Sequence, residues 1–111
     1  PQRYRDQVLP RLRDLANRLV CRDQSRWSTY CATPLKIAPS PDSAVADELR
    51  SDLERHLDYT IDHQDPAGGW WPTWTWGGCY PEAWEEARRE WRGEITLSTL
   101  TSLLRFGRID L

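Results

Sequence analysis

The sequence contains no methionine, and its three cysteines, Cys21, Cys31 and Cys79, form no C-x-x-C pair. The commonest thiol-redox and zinc-ribbon signatures are therefore missing, and an odd number of cysteines cannot all pair within one chain. This pattern fits a reduced, cytoplasmic protein. No apolar run approaches the roughly 20 residues of a membrane-spanning helix, and no signal-peptide pattern opens the chain. A phosphate loop is lacking too: neither Gly68-Gly69 nor Gly77-Gly78 is followed by Lys-Ser/Thr or set after a strand. No segment competes for the two-residue period of a strand. A chain that starts at Pro1 and lacks methionine is expected to be processed or part of something longer.

Apolar residues make up 39% of the 111 positions, yet aromatics reach 11%. The apolar mass is thus concentrated in a few large rings. Net charge is −2 but unevenly spread. Residues 3–26 are rich in arginine (Arg3, Arg5, Arg11, Arg13, Arg18, Arg22, Arg26), and residues 42–65 in acids (Asp42, Asp47, Glu48, Asp52, Glu54, Asp58, Asp62, Asp65). Two helices packed with complementary flanks account for this better than nucleic-acid binding, since the whole chain is slightly acidic.

Apolar periodicity predicts an all-α chain of about four helices. Val8, Leu9, Leu12, Leu15, Ala16, Leu19 and Val20 recur at three- and four-residue steps, and Pro10 favours a regular start near Leu9. An irregular connection follows from Gln24 to Pro41. Asp42 or Ser43 is expected to cap a second helix, along which Val45, Leu49, Leu53, Leu57 and Ile61 form an i+4 stripe. Gln64-Asp65-Pro66 ends it. Pro81 suits the first position of a third helix, with Glu82, Glu85 and Glu86 near its positive end. Gly93 is expected to end that helix and Thr96 to cap a fourth, which stops at Gly107.

Between the second and third helices lies Gln64–Tyr80, QDPAGGWWPTWTWGGCY. It sets Trp70, Trp71, Trp74 and Trp76 between two Gly-Gly pairs. Such a cluster is a structural staple or a ligand-facing wall, and imperfect alternation around Pro72 means that the rings cannot all face one core.

Tyr59 to Gln64, followed by Gly68-Gly69-Trp70, resembles the Q-x(2–5)-G-x-W signature of prenyltransferase and squalene-oxidase repeats, and the likeness extends over about residues 45–108. The resemblance implies helical hairpins of an α/α-toroid, as in terpenoid cyclases and protein prenyltransferases. It implies a structural staple of Gln64, Gly68 and Trp70, with Gln64 stacked on Trp70. Ala67 stands where the repeat often has Asp. The acidic D-x-D-D of terpenoid cyclases and the D-x-C of the prenyltransferase zinc site are both absent. A closed toroid needs about ten helices or more, so residues 1–111 are expected to form either a single helical domain or the C-terminal segment of a longer toroid.

On this reading the chain binds a hydrophobic, isoprenoid-like small molecule in an aromatic pocket, with Trp71, Trp74, Trp76, Tyr80 and Trp84 as ligand-contacting residues. Glu82, beside Tyr80, is the candidate general acid, because desolvation against aromatic rings raises a carboxyl pKa. Favourable charge at a helix N-terminus is the plainer account of the same glutamates. A zinc site of His63, Asp65 and Cys79 lacks standard spacing, so no metal and no cofactor are expected. His56 and His63 read as surface or helix-end residues. Two other functions fit the aromatics: a non-catalytic helical module that buries them against the remainder of a longer chain or another subunit, and a carbohydrate-active toroid domain.

Overall fold

The computed structural model describes residues 2–110. Among them the chain is all-helical, with four α-helices and no strand: α1 (Gln2–Leu19), α2 (Pro34–Ile37), α3 (Arg50–Asp62) and α4 (Pro81–Arg105). A short 3-10 turn, Gln24–Arg26, follows α1 and is capped by Asp23, whose carboxylate accepts from the Ser25 N–H at 3.0 Å.

Helix α1 starts earlier than Pro10 suggests and runs through it. A proline inside a helix sacrifices one backbone hydrogen bond but does not forbid continuation. Only the C-terminal part of α1 is packed, through Ala16, with Val20 just beyond it. Val8, Leu12, Leu15 and Leu19 instead form an exposed stripe.

The second expected helix is shorter than its apolar stripe. Neither Asp42 nor Ser43 caps a helix; the Ser43 hydroxyl accepts from the Ser40 N–H at 3.2 Å. Residues 43–50 form successive four-residue turns, as in Ala46 N–H to Ser43 C=O (3.0 Å) and Leu49 N–H to Ala46 C=O (3.2 Å). These turns still direct Val45, Ala46 and Leu49 inward, joining Leu53, Ala38, Ala16 and Val20 in the core. Leu57 is buried as well, whereas Ile61 is 41% exposed.

Gly93 does not divide the last segment. Helix α4 is continuous from Pro81, its first residue as expected, to Arg105. Gly107, at φ +72°, terminates it: its N–H donates to Leu104 C=O (3.0 Å) and the Arg108 N–H to Leu103 C=O (2.8 Å). These two bonds satisfy carbonyls that the helix end would leave open.

The charge asymmetry of the sequence is used internally. Arg22 contacts the buried Asp52 of α3 at 3.0 Å, and Arg55 approaches the same carboxylate at 3.5 Å. Arg13 of α1 lies 3.9 Å from Glu48. Helix α2 packs against α3, while α4 is held along its C-terminal half. Near that end Ser102 Oγ donates to Pro39 C=O (2.8 Å) and Arg108 pairs with Asp58 (2.6 Å). Six residues before Ser102, the Trp70 N–H donates to Thr96 Oγ1 at 3.1 Å. A cleft opens between these attachments.

Candidate functional site

The cleft has a volume of about 940 Å³, within the range of small-molecule sites. One wall is aromatic: Trp27 from the first connection, Tyr59 from α3, and Trp70, Trp71 and Trp74 from the Trp-rich loop. The opposite wall is the face of α4 that carries Ile95, Ser98, Thr101 and Ser102, with Glu94 and Arg105 at its margins. The cleft thus has aromatic residues on one side and hydroxyl-bearing ones on the other.

Trp27 anchors the aromatic wall. It is 2% exposed, and its indole N–H donates to Cys21 C=O at 2.7 Å, so its polar atom is satisfied inside the core. Its ring meets His56 and Tyr59 edge-on, at centroid distances of 4.7 and 5.2 Å. The sequence pattern predicts a surface or helix-end position for His56. In fact it is buried, because α3 packs a face wider than its leucine stripe. Burial, aided by nearby Lys36, depresses its pKa to about 4, and the neutral ring's Nδ1 accepts from the Leu35 N–H at 3.3 Å. His63 does lie at the end of α3, exposed, with Nδ1 donating to Tyr59 C=O at 2.9 Å.

The Trp-rich loop is organised by a residue that sequence reasoning missed. The Asp65 carboxylate accepts from the Ala67 N–H and the Trp71 indole N–H, both at 2.8 Å, while its own N–H donates to Gly69 C=O at 2.9 Å. The Ala67 bond, the Trp71 bond and the charges of Arg92 and Arg88 together hold its pKa below the ordinary carboxylate value. Arg88 and Arg92, one turn apart on α4, lie 3.8 and 4.3 Å from the Trp71 ring centroid. Arg92 also donates to Gly68 C=O. Guanidinium groups over an indole face are attracted to its quadrupole. The signals were available: Asp-Pro-x-Gly-Gly is turn chemistry, and two arginines at i and i+4 share a helix face.

The expected staple is therefore built differently. Trp70 does join two helices, its indole N–H donating to Thr60 C=O of α3 (2.8 Å) and its backbone N–H to Thr96 of α4. Gly68 contributes a positive φ of 91° and the carbonyl that Arg92 holds. Gln64 is exposed; Trp70 and Arg92 bond the loop to the helices, and Asp65 ties the loop to itself through Trp71.

The five expected ligand-contacting residues divide. Trp71 and Trp74 line the cleft, and Trp74 also meets Tyr30 (6.0 Å) and Trp91 (5.4 Å) edge-on. Trp76 and Trp84 pair with each other at 5.2 Å outside the cleft lining. Tyr80 is 76% exposed and occupies the left-handed region (φ 49°) just before α4. Glu82 is exposed in the first turn of α4 and is not part of the cleft wall. Among the described residues no three His, Cys, Asp or Glu side chains gather as metal ligands, so His63, Asp65 and Cys79 do not assemble. No described helix is long and apolar enough to cross a membrane.

No protein-family model matches the chain, and comparisons with curated proteins and with solved structures likewise find no match.

Proposed function

We propose that the chain binds a hydrophobic, isoprenoid-like small molecule in the cleft between α3, the Trp-rich loop and α4. The observation that carries this reading is the convergence of Trp27, Tyr59, Trp70, Trp71 and Trp74 on one cleft of about 940 Å³. Buried apolar area supplies most of the affinity of such a site, and a few polar groups orient the ligand. Here Ser98, Thr101 and Arg105 are the polar groups on the far wall. The helix–loop–helix unit of α3 and α4, closed by Trp70, is what supports the toroid-repeat reading. The proposal is of binding: Glu82 stands apart from the cleft, and no reaction is assigned.

Titration with farnesol, followed by Trp fluorescence, tests it. Trp71→Ala and Trp74→Ala are each expected to weaken binding by about tenfold or more, equivalent to roughly 1.4 kcal/mol. Trp76→Ala, outside the cleft, should bind as the parent does. Parent-like affinity in both cleft variants would overturn the proposal.

A second reading, a helical interaction module, is favoured by a separate observation. Leu12, Leu15 and Leu19 on α1, and Leu97, Leu100 and Leu104 on α4, are exposed at 39–68%. Contiguous apolar stripes of this kind mark contact surfaces.

A further inference from the structure

The first connection places two cysteines together. Cys21 lies two residues beyond the end of α1, and its N–H donates to Ala32 C=O at 2.8 Å, which brings the two ends of segment 21–32 side by side. The Trp27 indole N–H donates to Cys21 C=O from within the same loop. Both thiols turn toward the loop's own backbone: Cys21 Sγ donates to Asp23 C=O (3.8 Å) and Cys31 Sγ to Arg26 C=O (3.4 Å). Cys79 is exposed in a different loop.

From this geometry we propose that Cys21 and Cys31 form an oxidisable thiol pair, whose disulfide closes the loop carrying Trp27 and Tyr30 against the cleft. The oxidant is a low-molecular-weight disulfide such as glutathione disulfide. Cys31, the more exposed of the two, attacks as thiolate, forms a protein–glutathione disulfide and releases one glutathione thiolate. Cys21, deprotonated in turn, attacks the Cys31 sulfur and releases the second glutathione. Two protein thiols lose two electrons and two protons; glutathione disulfide gains them as two thiols. Burial and the neighbouring Cys21 thiol both push the Cys31 thiol up, so the first step accelerates as pH rises. The loop's contacts give the bond a consequence. Trp27 lines the cleft and Tyr30 meets Trp74 at 6.0 Å, so the disulfide fixes one aromatic wall relative to α1.

The test uses the full chain carrying Cys79→Ser, which keeps both partners and removes the third thiol. After treatment with glutathione disulfide near pH 8, intact mass is expected to fall by two hydrogens, and peptide mapping to link Cys21 with Cys31. The added variants Cys21→Ser and Cys31→Ser should each stop at a glutathione adduct or an unreacted thiol. Closing a loop of this length lowers the unfolding equilibrium constant on the order of 100-fold in the chain-entropy model, read by urea denaturation of the oxidised against the reduced chain. Stable glutathione adducts without a Cys21–Cys31 link, or no reaction after prolonged oxidation, would overturn the proposal.

Discussion

His56 is the residue whose environment departs furthest from what its type leads one to expect. Its folded-state pKa of about 4 lies below the ordinary 6.5 because burial penalises the imidazolium and Lys36 adds like-charge repulsion. Protonation would also remove the acceptor that the Leu35 N–H uses. Between pH 4 and 6.5 the unfolded chain binds a proton here and the folded chain does not. Stability therefore rises with pH across that window, is complete above about 6.5, and is lost as pH falls toward 4. At ~1.4 kcal/mol per pKa unit the full effect is about 3 kcal/mol as an upper bound. His56→Asn keeps an acceptor near Nδ1 and removes the titration. Its urea-denaturation stability should be nearly flat over the window in which the parent loses most of that amount; equal slopes for the two would refute the assignment. This residue was not legible in the sequence. Leucine spacing identifies the centre of a buried face, but whether a histidine one position away is covered depends on what packs beside it, here Trp27. Asp65 was hidden for the opposite reason: it reads as a helix stop, and its role appears only once Trp71 folds back onto it.

At the scale of elements, the all-α composition and the breaks around the Trp-rich loop were readable, because periodicity and proline act locally. Element ends were not. Gly93 looks like a stop, yet one exposed glycine costs a helix only about 1 kcal/mol relative to alanine, less than breaking and recapping the chain would. A Cβ at Gly93 would meet nothing within 4 Å. Gly93→Ala is therefore expected to stabilise the protein by about 0.5–1 kcal/mol, raising its thermal midpoint. Gly69 provides the opposite case. It has φ +80°, and an added Cβ would sit 2.8 Å from Thr96 Oγ1, the atom that accepts from the Trp70 N–H. Gly69→Ala should cost about 1–3 kcal/mol and loosen the loop from α4. A destabilised Gly93→Ala beside a neutral Gly69→Ala would mean that α4 breaks at residue 93 and that the loop does not seat on Thr96.

At the scale of the whole molecule, the two exposed apolar stripes bear on the interaction-module reading. On α1, Tyr4, Val8, Leu12, Leu15 and Leu19 share a face, and helical spacing sets Arg5, Arg11 and Arg18 along its borders with Asp6 and Asp14 away from it. On α4, Leu97, Leu100 and Leu104 continue the line of Glu82, Glu86 and Glu90. Pairing α1 with α1 would bring arginine borders together, whereas α1 against α4 of a second copy sets arginine beside glutamate. The interaction-module reading therefore favours a contact between unlike faces of two copies, made head-to-tail or exchanged reciprocally across a two-fold axis. The expected outcome is that sedimentation velocity shows association rising with concentration, and that Leu12→Glu and Leu97→Glu each abolish it. Mixing the two variants should restore a single contact, because the first retains an intact α4 face and the second an intact α1 face. That mixture decides between geometries. If α1 paired with α1, Leu97→Glu alone would still dimerise and the mixture would gain nothing; if neither stripe binds a second copy, the parent stays monomeric at every concentration.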